Sequence, residues 1–341
     1  MNFYTLIFNQ SKISSKQWIK QLFLFVFIGS FFIFVINYIV DPYNITKYNI
    51  LNLKYKFARD DRTEKVNYFK TLPKFDNILI GSSRVYSINP QEVTKLIGGT
   101  TYNFGVGTAT VEDHLGILKY LIRENKIPKV LIIGVDFYTF NPNIPPNSYF
   151  LANKELNFLS YNNYSENYIG KFFSFDAFRA SIKTIKYNYF KNTKPRFDKN
   201  GWGGSYEDYS KRDLKKDIIA VKKEIEENKQ LFFTRYSHID PKRIQYYEEI
   251  KKLAKQYNIK IYIFPTPLHP QLLKYIKNNS QINQAYEEFI KYLSTFDNFT
   301  NLYEDKDIYK DLRNFHGSTH TSTNCGDIIL KKVLFRKDLE Q

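Results

Sequence analysis

Residues 22–40 read LFLFVFIGSFFIFVINYIV, 19 consecutive residues without a charge. That matches the roughly 20 apolar residues a helix needs to cross a hydrocarbon core. A cleaved signal peptide has a shorter apolar region and small residues at its cleavage site. Here Asp41-Pro42-Tyr43 follows instead, and the length argues against a buried core helix. A single membrane helix over 21–40 is expected, with residues 1–20 as a cytoplasmic tail. Lys12, Lys16 and Lys20 precede the run and favour a cytoplasmic amino terminus, a bias that Lys47, Lys54 and Lys56 beyond it weaken. Tyr38 and Tyr43 suit the interfacial aromatic belt.

The 341-residue chain has room for one large domain or two small ones. Its net charge of +16 would suit nucleic acid or an anionic membrane surface. The lysines are scattered through amphipathic segments, with no arginine-rich patch and no nucleic-acid motif, so no nucleic-acid partner is expected. The single Cys325 excludes an intramolecular disulfide and a cysteine metal cluster. Neither His-x-x-x-His nor Cys-x-x-Cys nor a carboxylate cluster at ligand spacing occurs, so neither metal nor cofactor is expected.

Residues 41–75 are polar and mixed and read as a juxtamembrane connector. Beyond them strand and helix patterns alternate. Asn77–Gly81 is an apolar strand, and Pro90–Ile97 a short helix with proline in its first turn. Thr101–Phe104 is a second strand, followed by a helix from Thr110 with Leu115, Leu118, Leu121 and Ile122 on one face. Lys129–Val135 (KVLIIGV) has the uninterrupted apolar character of a strand buried on both faces. A helix around Ile244–Tyr257, a strand at Lys260–Phe264 and a last helix from near Ser322 to Phe335 complete the series. The alternation predicts an α/β domain over 76–341 with a doubly wound, mostly parallel, three-layer sheet and right-handed crossovers. Between about 140 and 242 the pattern degrades, and an insertion of that length is expected to form a helical cap.

Open α/β sheets bind ligands outside the carboxyl ends of their strands. Those ends carry Gly81-Ser82-Ser83-Arg84, then Asn103-Phe104-Gly105-Val106-Gly107, then Asp136, then Pro265-Thr266-Pro267-Leu268-His269, with His320 before the final helix. Serines, glycines that expose backbone, an acid and two histidines suit acyl transfer. A serine nucleophile needs a base within hydrogen-bond reach, and the tetrahedral intermediate needs oxyanion donors.

GSSR, NFGVGTAT, GVDFYTF and STHTSTNCGDIIL, in that order, resemble the SGNH/GDSL hydrolase superfamily over roughly 76–137 and 258–335. With the amino-terminal apolar run the chain resembles, more narrowly, the membrane-anchored SGNH proteins of bacterial envelope acylation, including those of teichoic-acid D-alanylation. The resemblance implies Ser83 as nucleophile, with Ser82 where the family usually has Asp. It implies His320 as base, six residues before Gly326, and the amides of Ser83 and Gly105 as oxyanion donors, with Gly107 in the same loop. Asp136 lies near where the family often has an oxyanion-donating Asn, but a carboxylate cannot donate unless protonated, and it could instead be a strand-end cap that accepts backbone N–H groups. Arg84 could bind an anionic substrate group or simply pair with an acid on the surface, and His269, in a Pro-Leu-His-Pro turn, could be structural or face substrate. Trp202 in GWGG could stack on a sugar or simply pack.

The family commonly reads Asp-x-x-His, and here Gly317 holds the acid's position. Asp136, Asp311 or Asp327 could serve instead, a Ser–His dyad could suffice, or the site could be inactive. The resulting expectation is a single-pass protein of the bacterial inner (cytoplasmic) membrane with its main domain extracytoplasmic. It would be an esterase or O-acyltransferase acting on cell-envelope polysaccharide, alone or with a membrane-bound acyltransferase partner. The alternatives are an inactive SGNH-fold protein that binds glycan or such a partner, and an esterase of small free esters.

Overall fold

The computed structural model describes residues 15–43, 60–159, 172–190, 197–206 and 213–335, with 46, 50–53, 170 and 208 between them. Lys12, Lys47, Lys54 and Lys56, and with them most of the expected cytoplasmic tail, lie outside the described residues. In chain order the elements begin with α1 (Ser15–Val40), α2 (Asp61–Thr71), β1 (Asn77–Ile80), α3 (Pro90–Ile97), β2 (Thr101–Asn103), α4 (Val111–Arg123) and β3 (Val130–Val135). The middle of the chain supplies α5 (Ser148–Ala152), α6 (Phe175–Tyr189), α7 (Leu214–Phe232), α8 (Pro241–Gln256) and β4 (Lys260–Pro265). The last part holds α9 (Pro270–Asn278), α10 (Ser280–Leu293), α11 (Lys306–Tyr309), β5 (Phe315–His316), β6 (His320–Thr321) and α12 (Thr323–Leu334). The chain divides into two compact units, 1–59 with 165–195, and 60–164 with 196–341.

In the larger unit four strands form an all-parallel sheet in the order β2-β1-β3-β4. An isolated parallel bridge from Ile263 to Phe299 extends its β4 edge. Strand side chains alternate between faces, and the core divides accordingly. Ile78, Ile80, Leu131, Ile133 and Ile263 join one cluster with Leu115 and Leu118 of α4, Ile250 of α8 and Phe289 of α10. Leu79, Ile132, Tyr262 and Phe264 join the other with Val93 of α3 and Ile329, Leu330 and Val333 of α12. Helices therefore cover both faces, and β3, apolar throughout, sits inside the sheet between β1 and β4. Burying each large apolar side chain contributes on the order of 1.5–3 kcal/mol. The strand order reverses between β1 and β3, so the crevice where such sheets bind ligands opens beside the exit of β1.

Two boundaries differ from the sequence reading. The connector expected over 41–75 contains α2, which belongs to the α/β unit. Its buried face sets Asp61, Arg62, Glu64 and Lys65 beside only Val66 and Phe69, which is why hydropathy missed it. Arg62 pairs with Asp113 (Nε–Oδ1 2.5 Å), and Lys65 Nζ donates to the carbonyls of Asn103 (2.7 Å) and Gly201 (2.9 Å). The insertion expected over about 140–242 is divided as well. α7 buries Val221 and Ile225 in the first core cluster, whereas 165–195 groups with α1. Parts of that insertion, 160–169, 191–196 and 209–212, lie outside the described residues.

In the smaller unit α1 is the helix, among the described residues, long and apolar enough to cross a bilayer. Asn37 near its carboxyl end is fully buried. Its Nδ2 donates to the carbonyls of Phe172 (2.8 Å) and Ser174 (3.1 Å), and Ser181 Oγ of α6 donates to its Oδ1 (2.9 Å).

Candidate active site

Ser83 opens a short 3-10 turn, Ser83–Ser87, immediately beyond β1. Ser82 caps that turn, its Oγ accepting the Arg84 amide at 3.1 Å, which accounts for the paired serines. The turn is pinned by Val85, which enters a socket lined by glycines from three strand ends. A Cβ on Gly81, Gly105 or Gly134 would stand 2.6, 2.5 or 2.4 Å from a Val85 methyl group. Such distances leave no room for a side chain, so the glycines bring Ser83 down onto the sheet edge. Ser83 itself is only partly buried.

His320 comes from the other end of the chain. β5 and β6 form a two-residue antiparallel ladder in which His316 faces His320. Ser87 Oγ and Thr321 Oγ1 lie 2.9 Å apart, tying the Ser83 turn to β6, and α12 packs so closely that a Cβ on Gly326 would meet the Ser87 carbonyl at 2.4 Å. These contacts carry His320 Nε2 to 2.8 Å from Ser83 Oγ across 237 residues of sequence. On the far side Nδ1 is 3.2 Å from Thr319 Oγ1. With the proton on Nδ1 and directed to Thr319, Nε2 is left to accept from Ser83. Burial, reinforced by the nearby Arg84 guanidinium and only partly opposed by Asp136, pulls the imidazole down to about 4. It is therefore neutral at pH 7.

None of the three candidate acids is hydrogen-bonded to His320. Asp136 is buried and bound elsewhere, to Arg84 Nη1 at 3.3 Å and to the Thr266 hydroxyl at 2.5 Å, and its side chain caps no turn. Asp311 caps its own turn and pairs with Arg313 (2.8 Å). Asp327 accepts from Tyr206 Oη at 3.3 Å. Gly317 lies in the β5–β6 turn at φ +68°, and a Cβ there would be 2.0 Å from Glu224 Oε2.

The other predicted residues have structural partners. Arg84 points inward, with its guanidinium over the Tyr138 ring at 5.1 Å as well as on Asp136. The Gly105 amide donates to Asn103 Oδ1 (2.9 Å) and the Gly107 amide to Asp61 Oδ2 (2.8 Å). The Gly105 amide expected at an oxyanion is thus already engaged. The Ser83 amide stands at the first position of its turn, where the turn itself offers no acceptor. His269 is buried and caps α9. Its Nδ1 accepts the Gln271 amide at 3.3 Å, its own amide donates to the Ser318 carbonyl at 2.9 Å, and it makes no hydrogen bond to Ser83 or His320. Trp202 is engaged in packing, its Nε1 donating to the Tyr86 carbonyl at 3.0 Å.

Two supporting residues carried no sequence signal. Glu224 accepts the Ser318 amide at 2.8 Å, and Asn228 Nδ2 donates to Ser318 Oγ at 2.6 Å. With the His269 amide on its carbonyl, fully buried Ser318 is held at three atoms, two residues before His320. An i, i+4 pair on α7 facing one strand turn is the only pattern that could have marked them, and amphipathic helices offer many such pairs. Among the described residues no group of acidic, histidine or cysteine side chains is arranged to hold a metal. Comparison of the chain with models of known protein families, with curated proteins and with solved structures finds no match in any of the three.

Proposed function

We propose that the protein is a membrane-anchored, SGNH-like serine esterase or O-acyltransferase of the bacterial cytoplasmic membrane, acting outside the cytoplasm on acylated cell-envelope glycans. The observation that carries this reading is the 2.8 Å approach of Ser83 Oγ to His320 Nε2 at the crevice beside β1. That is the distance at which an imidazole takes a serine proton.

In this reading Ser83 Oγ attacks the ester carbonyl while its proton passes to His320 Nε2. The tetrahedral oxyanion is met by the Ser83 amide. Collapse breaks the bond to the alcohol, which leaves with the proton from His320 and deposits the acyl group on Ser83. Water or a sugar hydroxyl, deprotonated by His320, then attacks the acyl-serine and regenerates the hydroxyl. Thr319 orients the ring where a carboxylate would do so in a full triad. Losing the triad acid costs about 10⁴ in turnover in a serine protease, so a dyad of this kind turns over slowly. A chain tethered to a membrane by α1 suits a surface or nascent polysaccharide better than a diffusing metabolite.

A second reading, a glycan- or acyltransferase-binding protein without catalysis, is supported by the lack, among the described residues, of a carboxylate on His320 Nδ1. Hydrolysis of a chromogenic acetyl ester and of an acetylated envelope glycan by the full-length protein separates the readings. Turnover lost in Ser83→Ala and in His320→Ala supports the enzyme. Equal rates in all three proteins remove Ser83 from the chemistry and leave binding.

A further inference from the structure

α6 and the aromatic residues on either side of it form a second apolar element of the smaller unit, and its surface is sorted into three stripes. The buried stripe is made of small residues, Ala177, Ala180, Ser181 and Thr184, and Ser181 in it bonds Asn37 of α1. Ala177 with Ser181 and Ala180 with Thr184 have the i, i+4 spacing of small residues by which helices approach closely in membranes. Asn37 crosses the interface with every side-chain hydrogen-bonding atom used, on Phe172, Ser174 and Ser181. In hydrocarbon an Asn must be satisfied in this way.

A second stripe is apolar and faces outward. Phe175 is 56%, Ile182 37% and Tyr189 63% exposed at a spacing of seven, with Phe173 and Phe190 exposed at the ends. Beside it runs a cationic stripe of exposed Arg179, Lys183 and Lys186, with the Arg179 guanidinium over the Phe175 ring at 5.0 Å. The stretch 172–190 carries those three cations against one acid, Asp176. An aromatic stripe next to a cationic one marks a helix that lies in a membrane interface.

The depth follows from α1. The first charge beyond the apolar run is Asp41, and Asn37 lies four residues before it, about 6 Å at 1.5 Å per residue. Phe34 and Tyr38 pack on Phe172, and Phe34 on Phe173, with ring centroids 4.9–5.8 Å apart. The start of α6 and the phenylalanines before it are thereby fixed to the last turns of the apolar helix.

We propose that α6 with its flanking phenylalanines is an interfacial membrane element, seated at the boundary of hydrocarbon and headgroups. Phe175, Ile182 and Tyr189 would enter the acyl chains while Arg179, Lys183 and Lys186 meet anionic headgroups. This rests on the reading of α1 as a membrane span.

Spin labels on single cysteines in the full-length Cys325→Ala protein, reconstituted in vesicles of phosphatidylcholine with phosphatidylglycerol, test it. Phe25→Cys reports α1, Phe175→Cys and Ile182→Cys report α6, and Lys252→Cys on α8 is the aqueous reference. Oxygen should relax the labels at 25, 175 and 182 severalfold more than a water-soluble nickel chelate does, with the reverse at 252. Replacing Arg179, Lys183 and Lys186 by Gln should make the labels at 175 and 182 shallower in phosphatidylglycerol vesicles, with 25 unmoved. A label at 25 in lipid with 175 and 182 as aqueous as 252 overturns this proposal alone. A label at 25 in water overturns the membrane span and this proposal together. Dipolar broadening between copies at 182 would put a second copy on the stripe instead of lipid, and overturns the proposal.

Discussion

Gly317 and Glu224 occupy one space: a Cβ on residue 317 would stand 2.0 Å from Glu224 Oε2, while the same carboxylate accepts the amide of Ser318. A side chain at the position where the SGNH resemblance calls for an acid would therefore have to push the Glu224 carboxylate away from the Ser318 amide. The position is further constrained by its φ of +68°, where non-glycine residues cost roughly 1–2 kcal/mol. Gly317→Asp is expected to lower both stability and ester turnover rather than complete a triad. Glu224→Ala in the same chain should recover part of the lost stability. Thermal unfolding and initial rates on the single and double variants measure both.

Ser318 transmits the position of α7 to His320. Asn228→Ala leaves the Ser318 hydroxyl without its donor inside the protein, at a cost of about 1–3 kcal/mol for a buried unsatisfied group. The expected result is a severalfold fall in kcat with little change in KM, because the imidazole is misplaced and the substrate surface is not. A variant that loses stability and keeps its kcat would show that Asn228 serves folding alone.

Val85 in its glycine socket is the joint that sets the height of Ser83. Gly134→Ala places a methyl 2.4 Å from Val85 Cγ1, and overpacking of this kind costs about 1–3 kcal/mol. Turnover should fall with stability. Gly134→Ala with Val85→Ala should restore stability toward that of Val85→Ala alone, because the second change vacates the space the first one needs. Additive losses in the double variant would mean that the two residues do not share the socket.

The pH response has a defined sign. His114 is fully buried, and burial holds it down to about 4, as burial does for His320. In the unfolded chain both histidines take up a proton near 6.5. Between about 6.5 and 4 the unfolded state binds more protons, so stability falls with acidification by up to about 1.4 kcal/mol per pH unit for His114, and is level above that window. His114→Gln should flatten the slope. The acid limb of kcat/KM, governed by His320 in the free enzyme, should lie near 4 rather than 6.5.

The sheet was legible because three of its strands centre on short apolar runs and the shorter β2 (Thr-Tyr-Asn) ends at a glycine-bearing turn. Asn77–Ile80, Thr101–Asn103, Val130–Val135 and Lys260–Pro265 each fall within one or two residues of the runs that announced them. The meeting of Ser83 with His320 was legible only as an order of motifs, since no periodicity connects residues 237 apart. α2 stayed hidden because its buried residues include Arg62, Lys65 and Glu64, which pairing and hydrogen bonding rather than hydropathy bring inside. Glu224, Asn228 and the attachment of α6 to α1 were out of reach for the same reason. Each is a contact between distant segments, invisible until the backbone is placed.

The most direct measurement of the central claim is the site of covalent capture. Full-length protein treated with a fluorophosphonate or an activated acetyl ester, then digested and sequenced by mass spectrometry, should carry the adduct on Ser83. The adduct should be absent from Ser83→Ala and form far more slowly in His320→Ala. Adduct on another residue, or labelling at the same rate without His320, would contradict the assignment of these two side chains as nucleophile and base.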